Sequence, residues 1–291
     1  MPGLRRLRAR PTAGPSGRRP TRSVREVGSA TVTVSGLHLT LATVGLLMLA
    51  GFTAGWVDAV VGGGGLVQLP ALLLVPGITP VQALATNKVA GIMGTSVSAL
   101  TYYRRVQPGL STAGPMAMTA LAGAAGGAAL AGLLPTSVFK PVILVALVLV
   151  GAYTVARPRV GRATQLRWTG RRHRAVALGL GLVLGAYDGL LGPGTGSFLV
   201  IALVGVVGYG FLEASAQAKI VNVATNLGAL LVFTLEGAPL WRLGLLVGGA
   251  NIAGAYLGAR TAVARGSAFV RVVFVVVVAA LIARLAVDVL G

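Results

Sequence analysis

The 291-residue chain is 55% hydrophobic and only 11% charged, yet carries a net charge of +19. A soluble domain has about 25% charged residues, so this surface cannot face water, and a soluble globular protein is excluded. The chain contains no cysteine, which excludes disulfides, thiolate metal sites and cysteine nucleophiles.

Residues 1–34 are rich in Arg, Pro, Ser and Gly, the composition of a disordered tail, and are expected on the cytoplasmic side. They do not read as a cleavable signal, because the apolar run that follows is too long and has no convincing cleavage site. Eight of the 22 arginines lie between Arg5 and Arg25, and seven between Arg157 and Arg174. Both tracts flank apolar segments. The basic balance therefore reads as positive-inside topology, with no nucleic acid among the expected partners.

Apolar segments follow at 37–78, 83–103, 112–134, 138–156, 175–210, 215–235, 240–259 and 268–288. About 20 residues cross a bilayer, so the chain reads as an all-α polytopic membrane protein whose partners include the lipid bilayer. The first and fifth segments are much longer than one crossing needs. Each contains a break, Val61-Gly62-Gly63-Gly64-Gly65 in the first and Gly192-Pro193-Gly194-Thr195-Gly196 in the fifth. Consecutive glycines are poor helix formers, and non-helical backbone survives at membrane depth only when buried in protein or lining a cavity. A broken or re-entrant helix is expected at both places. Isolated glycines such as Gly123 and Gly127 instead fit close helix packing.

If each long segment crosses once, both arginine tracts lie on one side; if it crosses twice, they lie on opposite sides. The arginines favour the first. About eight net spans result, with both termini cytoplasmic and Arg260 and Arg265 misplaced outside. The expected layout is a first membrane repeat at 37–156, an Arg-rich cytoplasmic linker at 157–174 and a second membrane repeat at 175–291.

An internal repeat supports this division. Asp58-Ala-Val-Val-Gly62-Gly-Gly64 aligns with Asp188-Gly-Leu-Leu-Gly192-Pro-Gly194 at an offset of 130. Ala83-Leu-Ala85-Thr-Asn-Lys88-Val89 aligns with Ala214-Ser-Ala216-Gln-Ala-Lys219-Ile220 at 131. Four net spans per half imply parallel repeats about an axis along the membrane normal, with a substrate site at the repeat interface on discontinuous helices.

Charge is scarce enough to single out its bearers. The six acidic residues are Glu26, Asp58, Asp188, Glu213, Glu236 and Asp288; all but Asp58 and Asp188 lie at segment edges or in flanking regions. A charge at the membrane centre costs at least about 2.5–3.5 kcal/mol, so Asp58 and Asp188 need a partner or a cavity. They could cap half-helices or couple transport to protons. Lys88 and Lys219 either snorkel to the outer interface or converge on an anion, aided by helix N-termini at the breaks; each aspartate could also pair with the lysine of its own repeat. Gln68, Thr86, Asn87, Thr195, Ser197, Gln217, Asn222, Thr225 and Asn226 are polar residues near enough to complete a site. Asn222 and Asn226 share one helix face.

At these residues the chain resembles the sulfite exporter TauE/SafE family, also called the TSUP permeases. The matching pieces are Gly55-Trp-Val-Asp58-Ala-Val-Val-Gly62-Gly-Gly-Gly65, Leu69-Pro70-Ala71-Leu72 and Ala83-Leu-Ala85-Thr86-Asn87-Lys88. In the second half they are Gly185-Ala-Tyr-Asp188-Gly-Leu-Leu-Gly192-Pro-Gly194-Thr195-Gly196 and Ala218-Lys219-Ile-Val-Asn222-Val-Ala-Thr225-Asn226. The resemblance implies a bacterial inner-membrane permease for small anions such as sulfite, sulfonates or related organosulfur and organic acids, with transport linked to the proton gradient. It names no cofactor.

An anion channel without proton coupling is the alternative reading. Two intramembrane aspartates also occur in presenilin-like proteases, but no Gly-x-Gly-Asp follows Tyr187-Asp188, and the chain does not read as an enzyme. The tetraglycine lacks the Gly-Lys-Ser/Thr of a nucleotide-binding loop.

Overall fold

The computed structural model describes residues 31–133, 161 and 163–290, together with Val145 and Val148. The tail before residue 31 and, apart from Val145 and Val148, the expected span at 138–156 lie outside these residues. An antiparallel hairpin opens the described chain, β1 (Thr31–Val34) and β2 (Leu37–Thr40), turned at Ser35-Gly36 with both residues at positive φ. The expected tail boundary at residue 34 and the first segment's start at 37 therefore both fall inside a hairpin. The first helix begins only at Leu41, where the Thr40 hydroxyl accepts from the Thr43 N–H.

In the first half, α1 (Leu41–Val61) is followed by the short α2 (Gly64–Leu73), then α3 (Pro80–Val106) and α4 (Leu110–Ala131). A capping box of Thr79 and Gln82 and a proline at the first turn start α3, a combination that satisfies two of its orphan N–H groups. The second half repeats the plan with α5 (Gly170–Leu190), the short α6 (Thr195–Ala202) running into a π turn at Leu203–Val207, α7 (Phe211–Leu235) and α8 (Trp241–Leu290), which is bent at Gly266. Among the described residues, four stretches are long and apolar enough to cross a membrane: α1, α4, α7 and Trp241–Ala280 of α8. The protein is thus all-α, with both Gly-rich breaks where the sequence places them.

Contacts between segment ends give the helices their directions. The Leu243 N–H donates to Ser35 Oγ (3.3 Å), the Leu240 N–H donates to Thr86 Oγ1 (3.1 Å), and Gly77 lies against Leu37. The hairpin, the α2–α3 turn and the α7–α8 turn therefore share one end of the bundle. At the other end, the Gln165 and Arg167 N–H groups donate to the carbonyls of Gly208 and Val207 (2.7 and 3.0 Å). There too the Thr112 hydroxyl bonds both His173 Nε2 (2.7 Å) and the Tyr209 hydroxyl (2.8 Å).

It follows that α2 returns the chain to the end where α1 began, and α6 with its π turn returns it to the end where α5 began. Neither broken segment carries the chain from one end to the other. The expectation of eight net spans in parallel repeats required that each should, and it is corrected. The two halves start from opposite ends and are related by an axis lying across the bundle. Arginine counting missed this because it reads only the sides of loops; it cannot tell a glycine break that continues a helix from one that reverses it. With no native cysteine, the geometry has a direct test. In sealed vesicles, an impermeant maleimide should label Thr33→Cys and Ala163→Cys from opposite sides. Labelling of both from one side would restore the parallel layout.

The halves also interlock. Helix α1 packs along α8, and α4 packs along α5, so each interface joins the first half to the second. Small residues set the separation. A Cβ on Gly55 would lie 2.2 Å from the Asn251 carbonyl oxygen, and one on Gly127 2.1 Å from that of Ala186. Backbones meet this closely only across glycine, which is the role the sequence suggests for Gly123 and Gly127.

Candidate functional site: a polar cavity between two helix breaks

The two breaks touch. Gly62 ends α1 in the left-handed region (φ 86°), and its carbonyl accepts from the Ser197 N–H (3.0 Å) while Ser197 Oγ donates to the Val61 carbonyl (3.0 Å). A Cβ on Gly62 would sit 2.1 Å from the Gly196 carbonyl carbon. Across the contact, Gly192 and Gly194 hold φ of 84° and 87°, the Thr195 hydroxyl donates to the Gly192 carbonyl (2.9 Å), and the Tyr187 hydroxyl donates to that of Pro193 (2.8 Å). Neither short helix has a side-chain N-cap. The orphan N–H groups and partial positive charge of both N-termini thus belong to residues at the junction.

A cavity opens beside this contact, with about 40 Å³ for the centres of water-sized molecules. One water needs roughly 10–15 Å³ of such space, so there is room for a few waters or one small oxyanion. The breaks supply Gly62, Gly64 and Gly65 on one side, and Gly192, Gly194, Thr195 and Gly196 on the other. Helix α3 contributes Asn87 and Lys88, α7 contributes Asn222 and Asn226, and Asp58 and Asp188 complete the charged wall. Six residues expected at or beside the site are not part of its lining: Gly63; Thr86, which is buried and accepts from Leu240; Ser197, which donates to the Val61 carbonyl; Gln217, which donates to that of Gly109; Thr225, which donates to that of Asn222; and Lys219, which is buried behind Asp58.

The charges pair across the halves. Lys88 Nζ lies 2.7 Å from Asp188 Oδ2, and Lys219 Nζ lies 2.9 Å from Asp58 Oδ2. Pairing within a repeat is corrected: because the halves run in opposite directions, the lysine of each faces the aspartate of the other. Snorkelling is corrected as well, since Lys88 is 2% and Lys219 0% exposed. Nor do the carboxylates cap the short helices. Asp58 instead accepts a second contact from Thr95 Oγ1 (3.3 Å). Among the described residues no three His, Cys, Asp or Glu side chains come together.

Further polar residues line the cavity. Gly91 and Thr95 follow Lys88 by one and two turns on α3. The 131-residue offset maps them onto Asn222 and Asn226, so the repeat contained the signal. Gln68 links Asn87 Oδ1 to Asn251, donating to the former (3.0 Å) and accepting from the latter (2.9 Å). Asn251 carried no sequence signal beyond being a lone amide in a glycine-rich helix. The amides, the Lys88 ammonium and the short-helix N–H groups together make a donor-rich lining. Such a lining suits an anion.

Comparison with known proteins places the chain among membrane transporters. The family model described as sulfite exporter TauE/SafE matches residues 47–285. A probable membrane transporter protein, ORF9, from Sinorhizobium sp. is 39% identical over 247 residues, covering 83% of this chain and 92% of the relative. Probable membrane transporter proteins of Haemophilus influenzae and of Escherichia coli K12, the latter called YfcA, are each 32% identical, covering 84% of this chain and 94% and 90% of the relatives. No solved structure matches the chain. Matched over most of its length, this multi-pass membrane protein belongs to the sulfite exporter TauE/SafE family.

Proposed function

We propose that the protein is a secondary transporter for small anions such as sulfite, sulfonates or related organic acids, with protons as the coupling ion. One observation carries the reading most of the way: two uncapped helix N-termini meet at a cavity that also holds Lys88. Halves that start from opposite ends add to it. Transporters built from inverted repeats place substrate at the repeat interface on broken helices and rock one half against the other.

The arrangement also bears on sidedness. Arg104, Arg105 and the 167–174 arginines lie at the end that holds Gly109 and Gly208. Basic residues close to span ends set orientation, so this end is assigned to the cytoplasm of a bacterial inner membrane, and the hairpin at 31–40 to the opposite side. This assignment departs from the cytoplasmic N-terminal tail that the sequence led us to expect. The pair of cysteine variants reports this orientation too.

Flux into proteoliposomes of sulfite, methanesulfonate and acetate, with and without a pH gradient, tests the function. Saturable, gradient-sensitive uptake of at least one anion is expected, and Lys88→Ala should lower it at least tenfold. A channel would give non-saturating flux indifferent to the gradient. No flux of any of these anions would contradict the proposal.

A further inference from the structure

The two ion pairs are equivalent by repeat but not by environment. Lys88 lines the cavity, whereas Lys219 does not and is screened from it by Asp58. Asp58 is held twice, by Lys219 and by the Thr95 hydroxyl, and its side chain is 15% exposed. Asp188 is 3% exposed, and its Oδ2 touches Lys88 but receives no well-aligned hydrogen bond from any group. One pair is therefore anchored. The other is a buried carboxylate held by a single ammonium that an incoming ligand can reach.

Resting on the anion-transport reading, we propose that Lys88–Asp188 is the exchange element and Lys219–Asp58 a fixed strut. With both pairs intact the four side chains sum to zero charge, so an anion gains no net attraction. When an anion takes the Lys88 ammonium, Asp188, only 3% exposed, loses its counterion, and a buried carboxylate without a partner is strongly disfavoured. It takes up a proton from the aqueous phase and becomes a neutral acid. Lys88 stays protonated throughout. The loaded cavity then holds one added anion and one added proton, which fixes the stoichiometry at one proton per bound anion.

Among the described residues no rival acceptor stands beside Asp188. Lys88 faces it from α3, Asp58 and Lys219 complete the opposite pair from α1 and α7, and the neighbouring Tyr187 hydroxyl is committed to the Pro193 carbonyl. Helix α4, packed along α5, has no titratable residue between Leu110 and Ala131.

Proteoliposomes carrying wild type, Asp188→Asn or Asp58→Asn are loaded with sulfite or methanesulfonate. Wild-type uptake should rise with an inward proton gradient. Asp188→Asn should take up and exchange the anion at the same rate with and without the gradient, while binding it about tenfold more tightly through the freed Lys88. Asp58→Asn should be slower yet keep its gradient ratio, and Asp188→Glu should restore coupling. Proton uptake on adding sulfite or methanesulfonate to weakly buffered, purified wild type needs no variant, and about one proton per bound anion is expected. Binding without proton uptake, or coupling that survives in Asp188→Asn and vanishes in Asp58→Asn, would overturn the assignment. Gradient-insensitive wild-type flux overturns the exchange element and leaves transport standing; no wild-type flux overturns both.

Discussion

Lys219→Met is expected to destabilise the protein by about 3–5 kcal/mol, the cost of removing one partner from a buried ion pair. Lys219 is fully buried and its ammonium is the main partner of Asp58. Without it, the carboxylate keeps only the Thr95 hydroxyl at 3.3 Å. Asp58 is partly exposed at 15%, so water offsets some of the penalty and the lower end of the range is favoured. Folded domains are stable by only about 5–15 kcal/mol, which makes the loss large. The Asp58→Asn/Lys219→Met double variant should recover most of it, because no charge is then left unpaired and an amide oxygen still faces Thr95. Thermal unfolding of the purified variants reads the cycle. A single variant as stable as wild type would mean the pair is not the strut described above.

Gly62→Ala should be at least as damaging, for steric rather than electrostatic reasons. A left-handed residue with a Cβ costs about 1–2 kcal/mol, and Gly62 sits at φ 86°. Its Cβ would also lie 2.1 Å from the Gly196 carbonyl carbon and 2.5 Å from the Ser197 nitrogen. Those neighbours are backbone and cannot swing aside. Relief requires the two breaks to separate, which also breaks the hydrogen bond from Ser197 to the Gly62 carbonyl. Loss of folded protein or of all transport is expected. Gly65→Ala is the matched control, since its Cβ would meet Asn87 Nδ2 and Pro193 Cα at an ordinary 3.5 Å. It should fold while altering flux, because Gly65 lines the cavity. Equal stability of the two variants would contradict the contact between the breaks.

Much of the site was legible because the repeat superimposed rare residues on one another. Asp58 with Asp188, Lys88 with Lys219, and the paired glycine breaks all came from the two offsets, and most of them line one cavity. The same offset carries Asn226 back to Thr95, so that residue was readable too. Partner choice was not. A repeat says which residues are equivalent, not whether a copy meets its own half or the other one. That depends on the reversal at each break, where two or three glycine torsions redirect a whole helix without changing the hydropathy around it. Asn251 illustrates the remaining gap: it reaches Gln68 only because α8 lies against α1 on glycines, a long-range packing outcome with no local signature.

The central claim is that anions pass through the cavity between the two breaks, and Gly91→Cys tests it most directly. The chain has no native cysteine, Gly91 lines the cavity, and a Cβ there has Asn226 as its nearest neighbour, at an ordinary 3.5 Å. In proteoliposomes, an anionic sulfonated thiol reagent should modify this cysteine faster than a cationic one of similar size. A transported anion should slow the reaction in proportion to its occupancy, and modification should block flux. Faster reaction with the cationic reagent, or labelling indifferent to a transported anion, would contradict the account.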